Sequence, residues 1–428
     1  MDKKAVRSWA MYDWANSAFA TIIIAAVMPI FYSKVAANTL APATATAYWG
    51  YTQSISLILV VILSPLLGAI ADASNSKKKF LRFFVIMGVL ATTLMFTIGE
   101  GDWLWASLLL IVGTLGFSGA NVFYDAFLSD VAPEKDRDMV SAKGFSYGYV
   151  GGGSILALSL ALITFHDKVG ISSLSATQIS FFATGIWWLL FSIPIFRNVH
   201  EKKIIQGVKQ PPMATALSGF RSVWQTIRAI KQYPELLKFL IAFWFFSDGI
   251  NTIVKMSVIF GAEIGIGQQD LITALLITQF VGFPCTLFFG KIASKFGSKL
   301  TLVITLCVYL FITILGYRME NALDFYILAT LVGTVQGGSQ ALARSIFTRI
   351  VPAHRNAEFF GFYGLSGKFA AIFGPAAVAI IGQLTGSNRT GIASVAFFFI
   401  VGIIMLFFVN LDKGKEEAEA AVARELNQ

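Results

Sequence analysis

Asp13 and Asn16 stand three residues apart in "SWAMYDWANSAFATIIIAAVMPIFY", Ser8 to Tyr32, a run otherwise apolar enough to cross a bilayer. A charged side chain at the centre of a membrane costs at least about 2.5–3.5 kcal/mol, so such groups face a protein interior or a water-filled cavity. The same problem recurs inside other apolar runs, at Asn121, Tyr124 and Asp125, at Asp248, Asn251 and Lys255, and at Gln336, Gln340 and Arg344. Spacings of three and four residues put each group on one face of a helix. Carboxylates, amides and cations in that mixture suit recognition of a polar or zwitterionic solute. They do not suit bond-breaking chemistry. The three histidines, His166, His200 and His354, all fall in polar connections, and the chain has no Walker loop, zinc spacing or nucleophile–base set. No catalytic residue, metal or cofactor is expected. For any single polar residue, a structural role pinning two helices together, worth under about 1 kcal/mol, stays open.

The elements that must carry these groups follow from composition. Of 428 residues, 56% are hydrophobic and 13% charged, about half the charge of an ordinary soluble domain. The net charge of +9 does not point to nucleic acid, because the basic residues lie in short loops between apolar runs. Cys285 and Cys307 lie inside apolar runs and form no disulfide framework or metal motif. Runs of about 20 apolar residues occur at 8–35, 47–71, 80–99, 103–130, 141–165 and 178–196, and again at 236–262, 271–293, 300–317, 323–350, 357–384 and 390–410. The expected fold is therefore an all-α membrane protein with twelve transmembrane helices. Residues 1–197 form an N-terminal six-helix bundle, 198–235 a connector, 236–410 a C-terminal six-helix bundle and 411–428 a tail.

Charge sets the expected orientation. Of the 33 Lys and Arg residues, only Lys34, Lys168, Arg318 and Arg389 belong to one side, and Lys255, Arg344 and Lys368 lie within spans. All others fall on the side shared by both termini, which the positive-inside rule makes cytoplasmic. In the connector, Phe220, Val223, Trp224, Ile227 and Ile230 share a helical face, with Arg221 and Arg228 off it, as expected of a helix lying on an anionic leaflet. The tail reads as a soluble helix.

The two halves echo each other. "DWAN" in the first span returns as "DGIN" in the seventh, "GAIADASNSKKK" after the second as "GKIASKFGSK" after the eighth, and "SDVAPEKDR" after the fourth as "TRIVPAHR" after the tenth. Three echoes in one order imply a duplicated six-helix unit. "GYVGGG", Gly148 to Gly153, has no preceding strand and reads as a close-packing helix face rather than a nucleotide loop.

Twelve spans, a long central connection and the loop pattern of Gly68, Asp72, Lys77 and Lys78 resemble the major facilitator superfamily. "SWAMYDWANSAFATIIIAAVMPIFY", "VAPEKDRDMVSAKGFSYGYVGGG" and "FFSDGINTIVKM" resemble its vacuole-effluxer branch, which includes autophagy-related amino-acid effluxers and bacterial members. The pattern departs from the superfamily's at Ala73 and Asn75, and its second copy has Ser294 in place of the acid. The resemblance implies a secondary transporter that moves a small solute by alternating access between two six-helix halves, with spans one, four, seven and ten lining the cavity. It implies efflux of amino acids or other small metabolites, with drug or lipid export as the alternative, and an intramembrane lipid enzyme as the rival from another class. Protons are the candidate coupling ion, and a monomer in the bacterial inner membrane is expected. Gly68, Asp72, Lys77 and Lys78 are read as a gating loop, and Asp130 and Arg349, at matching inner ends of spans four and ten, as latch partners across the halves. Lys368 is open between snorkelling, pairing with Asp248 and binding ligand.

Overall fold

The computed structural model describes residues 2–73, 76–201, 232–385 and 387–426. With no water in the hydrocarbon to satisfy backbone groups, each apolar run closes its own hydrogen bonds as a helix. The first crossing, α1, runs from Lys3 to Ala26 and, after a 41° bend, from Met28 to Ala36. Its later turns are π-helical at Phe19–Ala26 and Tyr32–Ala36, and Pro29 at the start of Met28–Phe31 has no N–H for the ladder, which accounts for the bend. The first half continues with α2 (Pro42–Ala73), α3 (Lys77–Leu94), α4 (Trp103–Ala126), α5 (Arg137–Thr164) and α6 (Ser173–Asn198). The second half has α7 (Pro234–Glu263), α8 (Gln268–Phe296), α9 (Ser298–Tyr317), α10 (Ala322–Ile350), α11 (Asn356–Thr385) and α12 (Asn388–Phe407), followed by α13 (Leu411–Leu426). Among the described residues, eight of these helices are by themselves long and apolar enough to cross a membrane, nine with the bent α1.

The repeat visible in the sequence returns in the packing. α1 lies against α5 and α6, α3 against α4 and α6, and α2 against α4; α7 lies likewise against α11 and α12, α9 against α10 and α12, and α8 against α10. Between the halves, α5 packs along α8 and α10, while α2 and α4 pack along α11.

Glycines on α5 permit its close approach to α1. A Cβ at Gly144 would come within 2.6 Å of Asp13 Oδ2, and one at Gly148 within 2.7 Å of Ser17 Oγ. "GYVGGG" is thus a packing face that draws α5 onto the polar side of α1. At Gly68 a Cβ would run into the backbone of Ala357, so α2 closes onto the start of α11 only with glycine there.

The end of the bundle rich in basic residues is closed by polar contacts, and here one expectation is corrected. Asp130 and Arg349 do not pair. Asp130 binds Lys77 at 2.7 Å within its own half, and Arg349 Nη2 crosses to Asp138 Oδ2 at 2.6 Å. The reason is neighbourhood: α10 packs on α5, whose first turn presents Asp138. Asp138 also accepts from Ser298 Oγ, at 2.8 and 2.9 Å to its two oxygens. Arg137 Nη1 donates to Thr348 O at 3.1 Å, and Asn356 Nδ2 donates to Ala126 O at 2.8 Å and Ser129 Oγ at 2.7 Å. Lys78 turns the other way, its Nζ donating to Val199 O at 2.6 Å.

Rather than standing free, α13 is docked. Glu235 accepts from Asn410 N at 2.8 Å, Glu235 N donates to Glu417 at 3.2 Å, and Lys415 reaches Glu134 of the first half at 2.8 Å. Phe220 to Ile230, where a connector helix was expected, and the side chains of Asp72, Lys255 and Lys368 lie outside the described residues.

Candidate functional site

Between the halves lies a polar chamber of about 330 Å³, lined from α1, α4, α5, α8 and α10. Asp13 and Asn16 enter it from α1, Asn121, Tyr124 and Asp125 from α4, and Gln336, Gln340 and Arg344 from α10. Eight residues singled out in the sequence are thereby brought together.

Arg344 is the hub. Its Nη1 donates to Asp125 Oδ1 at 2.9 Å and its Nη2 lies 3.5 Å from Asp13 Oδ2. Nε and Nη2 donate to Ser141 Oγ and Ser141 O, both at 2.9 Å. Its guanidinium carbon lies 4.2 Å from the centre of the Phe145 ring and 4.8 Å from that of Trp9. Planar contacts on aromatic faces and several fixed hydrogen bonds are what a guanidinium needs once removed from water. The side chain is only 3% exposed, against 11% for Asp13 and 22% for Asp125.

The partners are themselves held. Tyr124 donates its hydroxyl to Asp13 Oδ2 at 2.7 Å, and Trp9 stacks on Tyr124 at 4.6 Å while donating Nε1 to Tyr124 O at 2.9 Å. Asn16 Nδ2 donates to Asn121 Oδ1 at 2.6 Å. Asp13 therefore draws its partners from α4 and α10, and not from the amide one turn away on its own helix. The carboxylates outnumber the guanidinium two to one. Asp13 Oδ1, Asp125 Oδ2 and the side-chain amides of Gln279, Gln336 and Gln340 make no hydrogen bond among the described residues, and all five residues line the chamber.

The seventh span behaves differently. Asp248 and Asn251 do not line the chamber. Asp248 Oδ1 accepts from Gly374 N at 2.9 Å, and Asn251 Nδ2 makes only long contacts, 3.4 Å to Ser247 Oγ and 3.5 Å to Gly367 O. Both face α11, because α7 turns its polar face into that interface.

Sequence reasoning missed Ser141, Phe145, Tyr149 and Gln279. The first three lie on α5 at intervals of four residues, one face of a helix, and that regularity was the available signal. Tyr149 also sits where a second, mostly apolar cavity of about 280 Å³ meets the chamber.

Comparison with known proteins agrees with this architecture. The model of the vacuole effluxer Atg22-like family matches residues 39–419. An uncharacterized MFS-type transporter of Bacillus subtilis, YxiO, is 42% identical over 99% of this chain and 98% of its own. Autophagy-related protein 22 of Kluyveromyces lactis is 24% identical over 86% of this chain and 80% of its own. Among solved structures, the major facilitator transporter FucP in its outward conformation superposes with a TM-score of 0.72 at 13% identity, covering 96% of this chain and 99% of its own, which shows the fold alone. The chain is a multi-pass membrane transporter of the major facilitator superfamily and belongs to its vacuole effluxer Atg22-like family.

Proposed function

We propose that the chamber between the halves is the solute site and that transport proceeds by alternating access, the halves rocking about it. The carrying observation is that Asp13, Asp125 and Arg344, from three helices of two halves, meet at one cavity that, among the described residues, also presents one unbonded oxygen of each carboxylate and the unbonded side-chain amides of Gln279, Gln336 and Gln340. Purely structural ion pairs in a membrane would not need to border a cavity. The family resemblance supports amino acids or other small metabolites as cargo and efflux as direction. The extra carboxylate supports protons as the coupling ion. Positive loops on the side of both termini support a bacterial inner-membrane orientation with termini in the cytoplasm. The clamp of Asp138, Arg349, Arg137 and Asn356 then lies on the cytoplasmic side, and the structure corresponds to a state closed there.

Gly68 and Lys77 belong to the same gate through the α2–α11 contact and the Lys77–Asp130 pair, whereas Lys78 is turned to Val199 O and takes no part in either. The test is flux into liposomes containing purified protein, with labelled amino acids and a metabolite panel, at matched and opposed proton gradients. Saturable flux lost in Asp13→Asn and Asp125→Asn variants that still purify as folded protein supports the site. Saturable flux unchanged in both variants removes it.

A further inference from the structure

We infer that the cargo is an ammonium-bearing molecule with an apolar body, its cationic head in the polar chamber and its body in the adjoining cavity. This rests on the reading of the chamber as the solute site. The head is assigned by charge. Arg344 is the one basic residue lining the chamber among the described residues, and all three of its nitrogens already donate, to Asp13, Asp125 and the Oγ and O of Ser141, so an incoming carboxylate would compete with two carboxylates in place. Asp125 Oδ2 and Asp13 Oδ1 make no hydrogen bond among the described residues, and with both carboxylates ionised the cluster carries one negative charge more than Arg344 balances. An ammonium group placed between them restores neutrality and supplies the hydrogen bonds that buried carboxylate oxygens require.

The body is assigned by continuity. Ala20, Thr21, Tyr149, Gln279 and Gln336 line both cavities. Beyond them the second cavity is walled by groups such as Ile253, Phe260, Leu328, Val332 and Ile392. A mostly apolar space joined to a site with a few convergent polar groups is the usual form of a small-molecule site. A small hydrophilic solute would leave the second space unused. A bare hydrocarbon would leave the carboxylates unmatched.

Three probes with one apolar body separate the possibilities: phenethylamine, L-phenylalanine and phenylacetate, titrated calorimetrically into the purified wild-type protein. The expected order of affinity is phenethylamine, then L-phenylalanine, then phenylacetate, with at least tenfold between the first and last. Asp125→Asn should weaken phenethylamine at least tenfold. Ala329→Phe, which fills the apolar cavity from α10, should weaken phenethylamine at least tenfold but leave methylamine within twofold. Because these two substitutions act on opposite ends of the site, a folding defect in one leaves the other as a test. Phenylacetate or L-phenylalanine binding more tightly than phenethylamine overturns the inference. So does binding of only small hydrophilic metabolites in the liposome panel, an outcome that leaves the chamber as solute site. If none of the probes binds and no solute is carried in liposomes, the inference and the underlying reading fall together.

Discussion

Asp13 and Asp248 occupy matching places in the two halves, and each lies against a glycine of the helix paired with its own. A Cβ at Gly144 would meet Asp13 Oδ2, and one at Gly374 would meet Asp248 Oδ1 at 2.7 Å. From this common start they diverge. Asp248 takes the backbone N–H of Gly374, one residue before Pro375, where the helical ladder of α11 is interrupted. Its fold-internal partners hold α7 to α11. Asp13 takes a phenol from α4 and faces a guanidinium from α10, so its state depends on both halves. One duplicated carboxylate fastens two helices of its own half while its twin sits at the interface between the halves. The lesson is that repeat position fixes where a residue lies along a span, and the neighbouring helix decides its work.

The largest effect expected from breaking this comparison comes from Arg344→Gln. Removing one partner of a buried ion pair leaves uncompensated charge and costs about 3–5 kcal/mol, and here two carboxylates lose their cation at once. We expect a marked fall in Tm in detergent together with loss of transport. A variant with wild-type Tm would show that Asp13 and Asp125 find other compensation and that the hub assignment is wrong.

Asp13→Asn and Asp248→Asn sharpen it next, as a crossed pair. Asp13→Asn should reduce transport at least about tenfold per folded molecule, the factor that corresponds to 1.4 kcal/mol, and alter its dependence on pH, with a small change in Tm. Asp248→Asn should lower stability by about 1–3 kcal/mol, the penalty for degrading a buried hydrogen-bonded group, and keep transport per folded molecule within twofold. Vesicle flux from pH 5 to 8, normalised to folded protein, and thermal melts separate the two. Equal transport defects would mean that both carboxylates serve the cargo.

These contrasts also mark how far the sequence could be read. The twelve spans, the repeat and the polar residues on α1, α4 and α10 were legible because bilayer thickness and the cost of buried charge leave few alternatives. Asp248 was misplaced because periodicity gives a residue's angle on its own helix and not which neighbour that angle faces. Asp130 and Arg349 failed as partners for the same reason, since the end of α10 meets the start of α5. On α5, Ser141, Phe145 and Tyr149 were hidden by the glycines between them, which read as packing. They do pack, and by packing they bring those three side chains to Arg344 and the chamber.

Asp138→Asn tests the clamp that separates the two faces of the bundle, with a smaller effect. Asp138 joins Arg349 of α10 and Ser298 of α9 to the first turn of α5. A hydrogen bond involving a charged group contributes about 1.5–3 kcal/mol, and one that exists in a single state biases the equilibrium by its own strength. We expect a cysteine placed at Thr348, buried under this clamp, to react about tenfold faster with a thiol reagent in the variant, after Cys285→Ser and Cys307→Ser. An unchanged rate would assign closure of this end to the apolar contacts of α2 with α11 and α5 with α8.

The smallest effect belongs to Lys415→Ala, at the one ion pair, among the described residues, by which α13 touches the first half. Both side chains are 42% exposed, and exposed pairs lose most of their Coulomb energy to water and salt. The hydrogen bond to Glu134, and then the charge of Glu134, hold the Lys415 ammonium above its ordinary value. A lysine raised in the folded state contributes its stability in full below the ordinary lysine range, about pH 10.4, and loses it only as pH rises through the elevated value. Between pH 5 and 8 the contribution is therefore constant, and the variant should show no resolvable change in Tm or in its pH dependence. Transport should also be unchanged, because Glu235 still holds α13 to the second half through Asn410 and Glu417. If instead Lys415→Ala speeds modification of the cysteine at Thr348, the helix is part of the clamp. The contrast between the halves would then extend to the tail, anchored on one and braced against the other.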